Sequence, residues 1–139
     1  MVNTKDRKES RFALADKALD LATYTIDILS NEKIFDPKYK SVIDRIAAEA
    51  TLIYHSIRVA NDIAVRSVND GRKAEERTRL QHEALASIEP LKSDIMIAHK
   101  LFHLTLKRVR YWNQQVDSIK DMLQGWIGSD IKRYKELGL

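Results

Sequence analysis

The chain has 139 residues and a formal net charge of +4, which is enough length for one domain with a hydrophobic core. Only four glycines and two prolines are present, so few turns and long elements are expected. There is no cysteine, which excludes disulfides, thiolate catalysis and cysteine-ligated zinc.

The first predicted helix covers residues 10–30 with Ser10 as its N-cap, after a flexible N-terminus over residues 1–9. Its apolar residues fall into two adjacent stripes at helical spacing, which form a face wider than a coiled-coil seam. The stripes are Leu14, Ala18, Leu21 and Ile28, and Ala15, Leu19, Ala22, Ile26 and Leu29. The segment 31–37 ends the helix, because a residue before proline avoids the α conformation.

The second predicted helix begins at Pro37 or Lys38 and ends at Val68. Its apolar face consists of Ile43, Ile46, Ala50, Ile53, Ile57, Ala60 and Ala64. Asn61 falls on this face, where a buried amide fixes helix register or bonds a neighbouring helix. Asn69, Asp70 and Gly71 then predict a terminator, with Gly71 as the left-handed cap.

The third predicted helix covers residues 73–103, and Pro90 lies inside its apolar pattern. The pattern stays in phase across the proline, so we expect a kink at residues 86–90 rather than an end. The face consists of Leu80, Ala84, Ile88, Leu91, Ile95, Ala98 and Phe102.

The fourth predicted helix covers residues 106–137 with Thr105 as its N-cap. Apolar residues alternate at spacings of three and four along it, which is a heptad pattern. This seam consists of Val109, Trp112, Val116, Ile119, Leu123 and Trp126.

Four long helices with short connections predict an all-α fold, an up-down-up-down antiparallel four-helix bundle, as a single domain over residues 10–139. Helices one and four carry more apolar surface than one bundle buries, and such a surplus is typical of an interface. We therefore expect an oligomer interface that includes Met122, Ile127, Ile131 and Tyr134. The alternative is a wide core stripe with a few scattered exposed apolar side chains.

The predicted bundle has two basic ends and an acidic waist. The end that holds the helix one–two and three–four connections has seven cations, Lys33, Lys38, Lys40, Lys100, Lys107, Arg108 and Arg110, against Glu32 and Asp36. The opposite end has Lys5, Arg7, Lys8, Arg11, Arg66, Arg72, Lys73, Arg77, Arg79, Lys132, Arg133 and Lys135, against seven acids. Basic ends attract phosphate backbones without base readout.

The helix macrodipole offers a second explanation for the basic ends, since cations are favourable at a helix C-terminus. That explanation covers Lys132, Arg133 and Lys135 well. It covers Lys107, Arg108 and Arg110 badly, because these residues lie at a helix N-terminus. Tyr111 and Trp112 follow them: base stacking is conceivable for an exposed Tyr111, whereas Trp112 belongs to the core seam.

The sequence shows no catalytic signature. A di-iron bundle needs Glu-x-x-His pairs, and none of the four histidines has a glutamate three residues before it. His99 and His103 share a predicted helix face, but no carboxylate sits at matching spacing, so we expect neither a metal nor any other cofactor. Gly-rich phosphate loops and nucleophile elbows are also missing.

Three segments carry a family resemblance. Residues 119–127 (IKDMLQGWI) resemble the closing Gly-Trp-Ile helix of the accessory variability determinant proteins, the small accessory subunits of diversity-generating retroelements. Residues 59–64 (VANDIA) are similar to the Ala-Asn-Ile-Ala-Glu-Gly turn of related four-helix proteins encoded in ribosomal RNA intervening sequences, with an inserted Asp and without the Glu-Gly. Residues 99–104 and 107–112 are similar to clostridial-type members of the group.

The resemblance covers roughly residues 42–134 and rests on packing motifs. It implies a homopentamer of four-helix bundles, a partner reverse transcriptase and a structured template RNA or its cDNA. It also implies that cationic surface residues make the nucleic-acid contacts. The matching positions in this sequence are Lys100, Lys107, Arg108 and Arg110, together with Arg66, Arg72 and Arg79.

The sequence thus favours a non-enzymatic accessory subunit that oligomerises, binds nucleic acid through basic surfaces and helps a reverse transcriptase. A protein-interaction scaffold without a nucleic-acid role is the main alternative, and a metal-dependent bundle enzyme is a third. The polar residues 1–10 lack the apolar core of a signal peptide, and no apolar run approaches the roughly 18 residues of a membrane span. We therefore expect a cytoplasmic protein without membrane contact.

Overall fold

The computed structural model describes the backbone over residues 4–139 and the side chains over residues 13–139. This part of the chain is all-helical and contains no strand, and its four helical segments, the third of them interrupted, are compatible with a helical bundle. The helices are α1 (Thr4–Leu29), α2 (Lys40–Asp62), α3 (Gly71–Ala86), α4 (Ile88–Leu101) and α5 (Leu106–Leu137). None of them is long and apolar enough to cross a membrane.

Helix α1 begins earlier than the sequence pattern predicted. It runs through Ser10 from Thr4, so Ser10 is not its N-cap. Residues 4–9 belong to this helix because they contain neither glycine nor proline and include good helix formers such as lysine, arginine and glutamate. The first three residues of the predicted flexible N-terminus lie outside the described part.

Helix α2 ends earlier than predicted, at Asp62 rather than Val68. Residues 63–66 leave the helix, and Val65 within them is buried. Two arginines bind the freed carbonyls: Arg77 donates to the Ile63 carbonyl, and Arg133 donates to that of Val65. The prediction failed because these bonds come from distant elements, which local spacing does not show.

The predicted glycine terminator is also wrong. Gly71 has a φ of −54° and is the first residue of α3, so it provides no left-handed cap. A capping box precedes it instead: the Ser67 hydroxyl accepts from the Asn69 N–H, and Asp70 accepts from the backbone of Ser67 and Arg66.

The predicted third helix is interrupted at Ser87, inside the region where a kink was expected. The Ser87 N–H bonds to the Ala84 carbonyl in a tight turn, and α4 starts at Ile88 with Pro90 in its first turn. Proline fits there because it has no N–H to donate to the preceding turn. The helical segment ends at Leu101, so His103, predicted as helical, lies beyond it with a φ of 55°.

Helix α5 agrees with the prediction at both ends. The Thr105 hydroxyl caps it by accepting from the Arg108 N–H at 3.2 Å, and Gly138 ends it with a φ of 85°. All six seam residues are buried, and Trp112 has no exposed surface.

The core lies between α5 and the faces predicted for the other helices. The third predicted face, from Leu80 to Phe102, is buried throughout, as are Leu14, Ala18 and Leu21 in α1 and Ile46, Ala50, Ile53, Ile57 and Ala60 in α2. Asn61 is half-buried, whereas Leu19 and Ile26 of the second α1 stripe are exposed. Two residues that no helical stripe contained, Phe35 and Leu104, complete the core from the connections.

Candidate nucleic-acid interface

The α1–α2 connection and the α4–α5 connection lie side by side at one end of the protein. Aromatic packing holds them together: the rings of Phe35 and Phe102 lie 4.9 Å apart, and Tyr39 meets Phe102 edge-on at 5.7 Å. A groove of about 530 Å³ forms between the connections. Its lining includes the cations Lys33, Lys38 and Arg108 and the ring of His103, and Asp36 is the only acid among the described lining residues.

Two caps fix the backbone of this groove. The Asp36 carboxylate accepts from the Lys38 N–H at 3.0 Å and starts the turn into α2. The left-handed conformation of His103 reverses the chain so that Thr105 can cap α5. The groove is therefore shaped by short, well-bonded connections rather than by a long loop.

Four of the sequence-predicted nucleic-acid residues lie at this end. Lys100 is exposed near the end of α4, and Lys107 and Arg110 are exposed in the first turns of α5, where Arg108 is half-buried. Among the described side chains, none of the four forms an ion pair. No acidic residue lies in the first turn of α5. Their charges are thus directed to solvent and to the groove.

The other three predicted residues lie elsewhere. Arg66 and Arg72 are exposed around the connection between α2 and α3, at the far end of α2. Arg79 is engaged by two carboxylates of its own helix, Glu76 at 2.6 Å and Glu83 at 3.3 Å. These hydrogen bonds raise the pKa of Arg79. Because the two carboxylates already neutralise its charge, Arg79 attracts a phosphate only weakly. The structure therefore does not join all seven cations into one surface.

The four residues predicted for the oligomer interface differ in how much of their surface is exposed. Ile127 is only 8% exposed, so it belongs to the core of this chain and offers no surface to a second copy. Met122 packs partly buried against the same core. Ile131 is 48% exposed, and Tyr134 is half-buried beside it on α5. Of the four, Ile131 presents the largest free apolar surface.

A buried polar cluster ties α3 to the end of α5, and sequence reasoning did not find it. Asp130 accepts two hydrogen bonds from Arg77, at 2.7 and 3.2 Å, and one from Gln81 at 2.8 Å. Arg77 was counted with the exposed cations of one basic end, but it is only 1% exposed. Burial, followed by the nearby Asp130 charge, raises the pKa of the Tyr134 hydroxyl at the rim of this cluster. The only sequence signal was an arginine and an aspartate at core-facing positions.

A second cluster of charged side chains lies between α2 and α4. Arg45 donates two hydrogen bonds of 2.8 Å to the Asp94 carboxylate, and these bonds lower the pKa of Asp94. Glu49 lies one helical turn from Arg45, and its Oε2 is buried with no hydrogen-bond partner in the described part of the chain. Burial and the neighbouring Asp94 carboxyl raise the pKa of Glu49 to about 7.

The two aromatic residues beside the cationic cluster differ as expected. Trp112 is buried, and its indole N–H donates to the Thr25 hydroxyl at 3.1 Å. Tyr111 is 53% exposed and meets the ring of Tyr24 edge-on at 5.2 Å. Burial raises the pKa of Tyr24, and the nearby Arg108 charge acts against that increase.

The histidines show no metal-site geometry. His103 lies outside the helix that was predicted to align it with His99, so the two do not share a helix face. Within residues 13–139, no group of three or more histidine, aspartate or glutamate side chains is placed to hold a metal ion.

Comparison of this chain with known protein families, with curated proteins and with solved structures finds no match.

Proposed function

We propose that this chain is a non-enzymatic accessory subunit that binds nucleic acid at the α4–α5 end and assembles with copies of itself. The observation that carries the proposal is the convergence of Lys33, Lys38 and Arg108 on one groove, with Lys100, Lys107 and Arg110 around it. Phosphate groups release counterions when such cations neutralise them, so binding needs no base-specific contact.

The placement of these cations supports a ligand-binding role over a purely structural one. Lys107, Arg108 and Arg110 lie in the first turns of a 32-residue helix, where the macrodipole makes cations unfavourable. Neither a described ion pair nor an acid in the first turn offsets them. A polyanion at this end would supply the missing negative charge.

The proposal takes the helices as an up-down-up-down antiparallel bundle. Thr25, late in α1, bonds Trp112 early in α5, and Lys17, earlier in α1, bonds Ser118 further along α5. Lys92 and Asp117 likewise link α4 to α5, and the earlier Glu89 bonds the later Lys120. In such a bundle the α1–α2 and α4–α5 connections share one end.

The likeness to accessory subunits of diversity-generating retroelements supplies the biological setting of the proposal. In that setting the subunit forms a homopentamer in the cytoplasm and holds template RNA or cDNA for a reverse transcriptase. Five copies would repeat the basic end around a ring, so that one nucleic acid could touch several of them.

A charge-reversal experiment tests the binding site. The double variant Lys107→Glu and Arg110→Glu changes two exposed side chains and should not disturb the core. We expect its affinity for a fluorescent RNA hairpin to fall at least about tenfold, and the slope of log affinity against log salt to fall by about 2. Fluorescence anisotropy at several salt concentrations measures both quantities.

The matched control is Lys132→Glu with Lys135→Glu, which makes the same charge change at two exposed positions near the other end of α5. This control should retain most of the affinity. Equal losses in the two double variants would mean that net charge alone drives binding, and the site assignment would then be wrong. Normal RNA binding by the first double variant would also reject it.

A further inference from the structure

A second groove, of about 780 Å³, lies between α1 and α5. Helix α1 contributes Lys17, Asp20, Thr23, Tyr24 and Asp27, and α5 contributes Tyr111, Gln115 and Ser118. Spacings of three and four place the α1 residues Asp20, Tyr24 and Asp27 on one helix face. The groove therefore has carboxylates at two positions along its length and tyrosines between them.

The two aspartate carboxylates of the groove are free to bind a cationic ligand. Asp20 and Asp27 are exposed, and neither forms an ion pair with any side chain in residues 13–139. Among the described lining residues Lys17 is the only cation, and its amine donates to the Ser118 hydroxyl at 3.2 Å. The two aspartates outnumber Lys17, and their excess negative charge attracts a cation between them, whereas the Arg108 charge acts on Tyr24 from the basic end.

The tyrosines suit a flat cation. Tyr24 supports Tyr111 through an edge-on contact at 5.2 Å, while more than half of Tyr111 stays exposed. An aromatic face attracts a cation within about 6 Å of its centre. A guanidinium is planar, stacks on aromatic rings and donates in a fork that matches a carboxylate, which an ammonium group does not.

We propose that the groove binds an arginine-bearing segment of a protein partner. One guanidinium lies on Tyr111 and bonds one of the two aspartates, while a second arginine of the same segment reaches the other aspartate. Asp20 and Asp27 are seven residues apart, about 10 Å along a helix. An extended chain covers that distance in about three residues, so the fitting spacing is Arg-x-x-Arg. The peptide site does not rest on the proposed function, but it adjoins the basic end, because the Arg108 charge acts on Tyr24.

The test uses a synthetic peptide, acetyl-Gly-Arg-Gly-Gly-Arg-Gly-amide, and the full chain. NMR titration should shift the ring resonances of Tyr24 and Tyr111 first. The double variant Asp20→Asn and Asp27→Asn keeps the side-chain shapes and removes two charges, and its peptide affinity should fall at least about tenfold. Replacing both peptide arginines by lysines should weaken binding several-fold.

The control is Glu75→Gln with Glu136→Gln, which removes the same charge from two exposed acids that lie outside the groove and form no described ion pair. The control should bind the peptide as the parent protein does. Equal affinities of the two double variants would overturn the proposal. So would a single-stranded RNA that shifts the tyrosine rings and displaces the peptide in the Lys107→Glu, Arg110→Glu variant, because the groove would then bind nucleobases without help from the basic end.

Discussion

Arg77 and Asp130 form an ion pair that is almost fully withdrawn from water, with 2.7 Å between Arg77 Nε and Asp130 Oδ2 and only 2% and 6% of the two side chains exposed. Arg77 also lies over the Trp126 ring, 5.0 Å from its centre, and bonds the Ile63 carbonyl. One guanidinium therefore connects α3, α5 and the segment that follows α2. Breaking this connection should affect the whole fold.

The first prediction concerns that pair. Asp130→Ala removes the only carboxylate within residues 13–139 that Arg77 contacts and leaves its buried charge without that partner, which costs about 3–5 kcal/mol of unfolding free energy. Urea denaturation followed by circular dichroism measures the change. Asp44→Ala, which breaks the exposed pair with Lys40, should have little effect. A similar small change in both variants would show that the buried pair contributes no more than a surface pair.

The second prediction concerns pH. Because the pKa of Glu49 is about 7 in the folded protein and near 4.5 without perturbation, the folded state keeps a proton that the unfolded state has lost between these values. The Glu49 contribution to stability therefore declines as pH rises from about 4.5 to about 7, and is constant above that range. Glu49→Gln should remove this decline, measured as thermal midpoints at pH 5 and pH 8. An unchanged pH dependence in the variant would contradict the assignment.

The Asp94 contribution to stability changes with pH in the opposite direction and in a different pH range. Arg45 lowers its pKa below the usual value of 3.8, so its contribution is present above that value and is lost as pH falls further. Measurements between pH 5 and pH 8 therefore lie above the pH range in which the Asp94 contribution is lost.

The third prediction concerns the start of α5. Thr105→Ala removes the hydroxyl that accepts from the Arg108 N–H, and it should destabilise the protein by about 1 kcal/mol. Thr105→Ser keeps an acceptor at the same position and should restore most of the loss. Equal destabilisation by alanine and serine would mean that the threonine methyl group, rather than the cap, matters there.

The fourth prediction concerns self-association. If the exposed part of α5 forms the contact between copies, Ile131→Glu should shift the protein towards the monomer in light scattering, because a charge replaces an apolar side chain that is 48% exposed. The fold should remain, since this side chain is not in the core. Ser129→Glu adds the same charge at an exposed position two residues away and should retain the oligomer. An oligomer that survives Ile131→Glu would place the contact on another surface, such as the exposed Leu19 and Ile26 of α1.

Local sequence patterns were most reliable where one periodic apolar face and one cap acted together. The heptad spacing from Val109 to Trp126 predicted a buried seam, and Thr105 marked the start of the helix, both as the structure has them. Local sequence patterns were least reliable at helix ends whose position depends on hydrogen bonds from residues far away in the chain. The end of α2 is an example, because Arg77 and Arg133 bind carbonyls that helical spacing had assigned to the helix.

The sequence by itself determined the all-helical class, most of the core faces, a distortion of the third helix just before Pro90, and the presence of a basic cluster at the start of α5. Apolar periodicity, proline and side-chain charge are local properties of the sequence. These features can therefore be predicted without knowing which helices pack against each other. Only the tertiary structure decided which charges are free: it buried Arg77 against Asp130, paired Arg79 with its own helix, and left Lys107, Arg110, Asp20 and Asp27 without described ion-pair partners. The reason is physical, because the effect of a charge depends on its distance from the opposite charge and on the water around it, and both are set by residues far away in the chain.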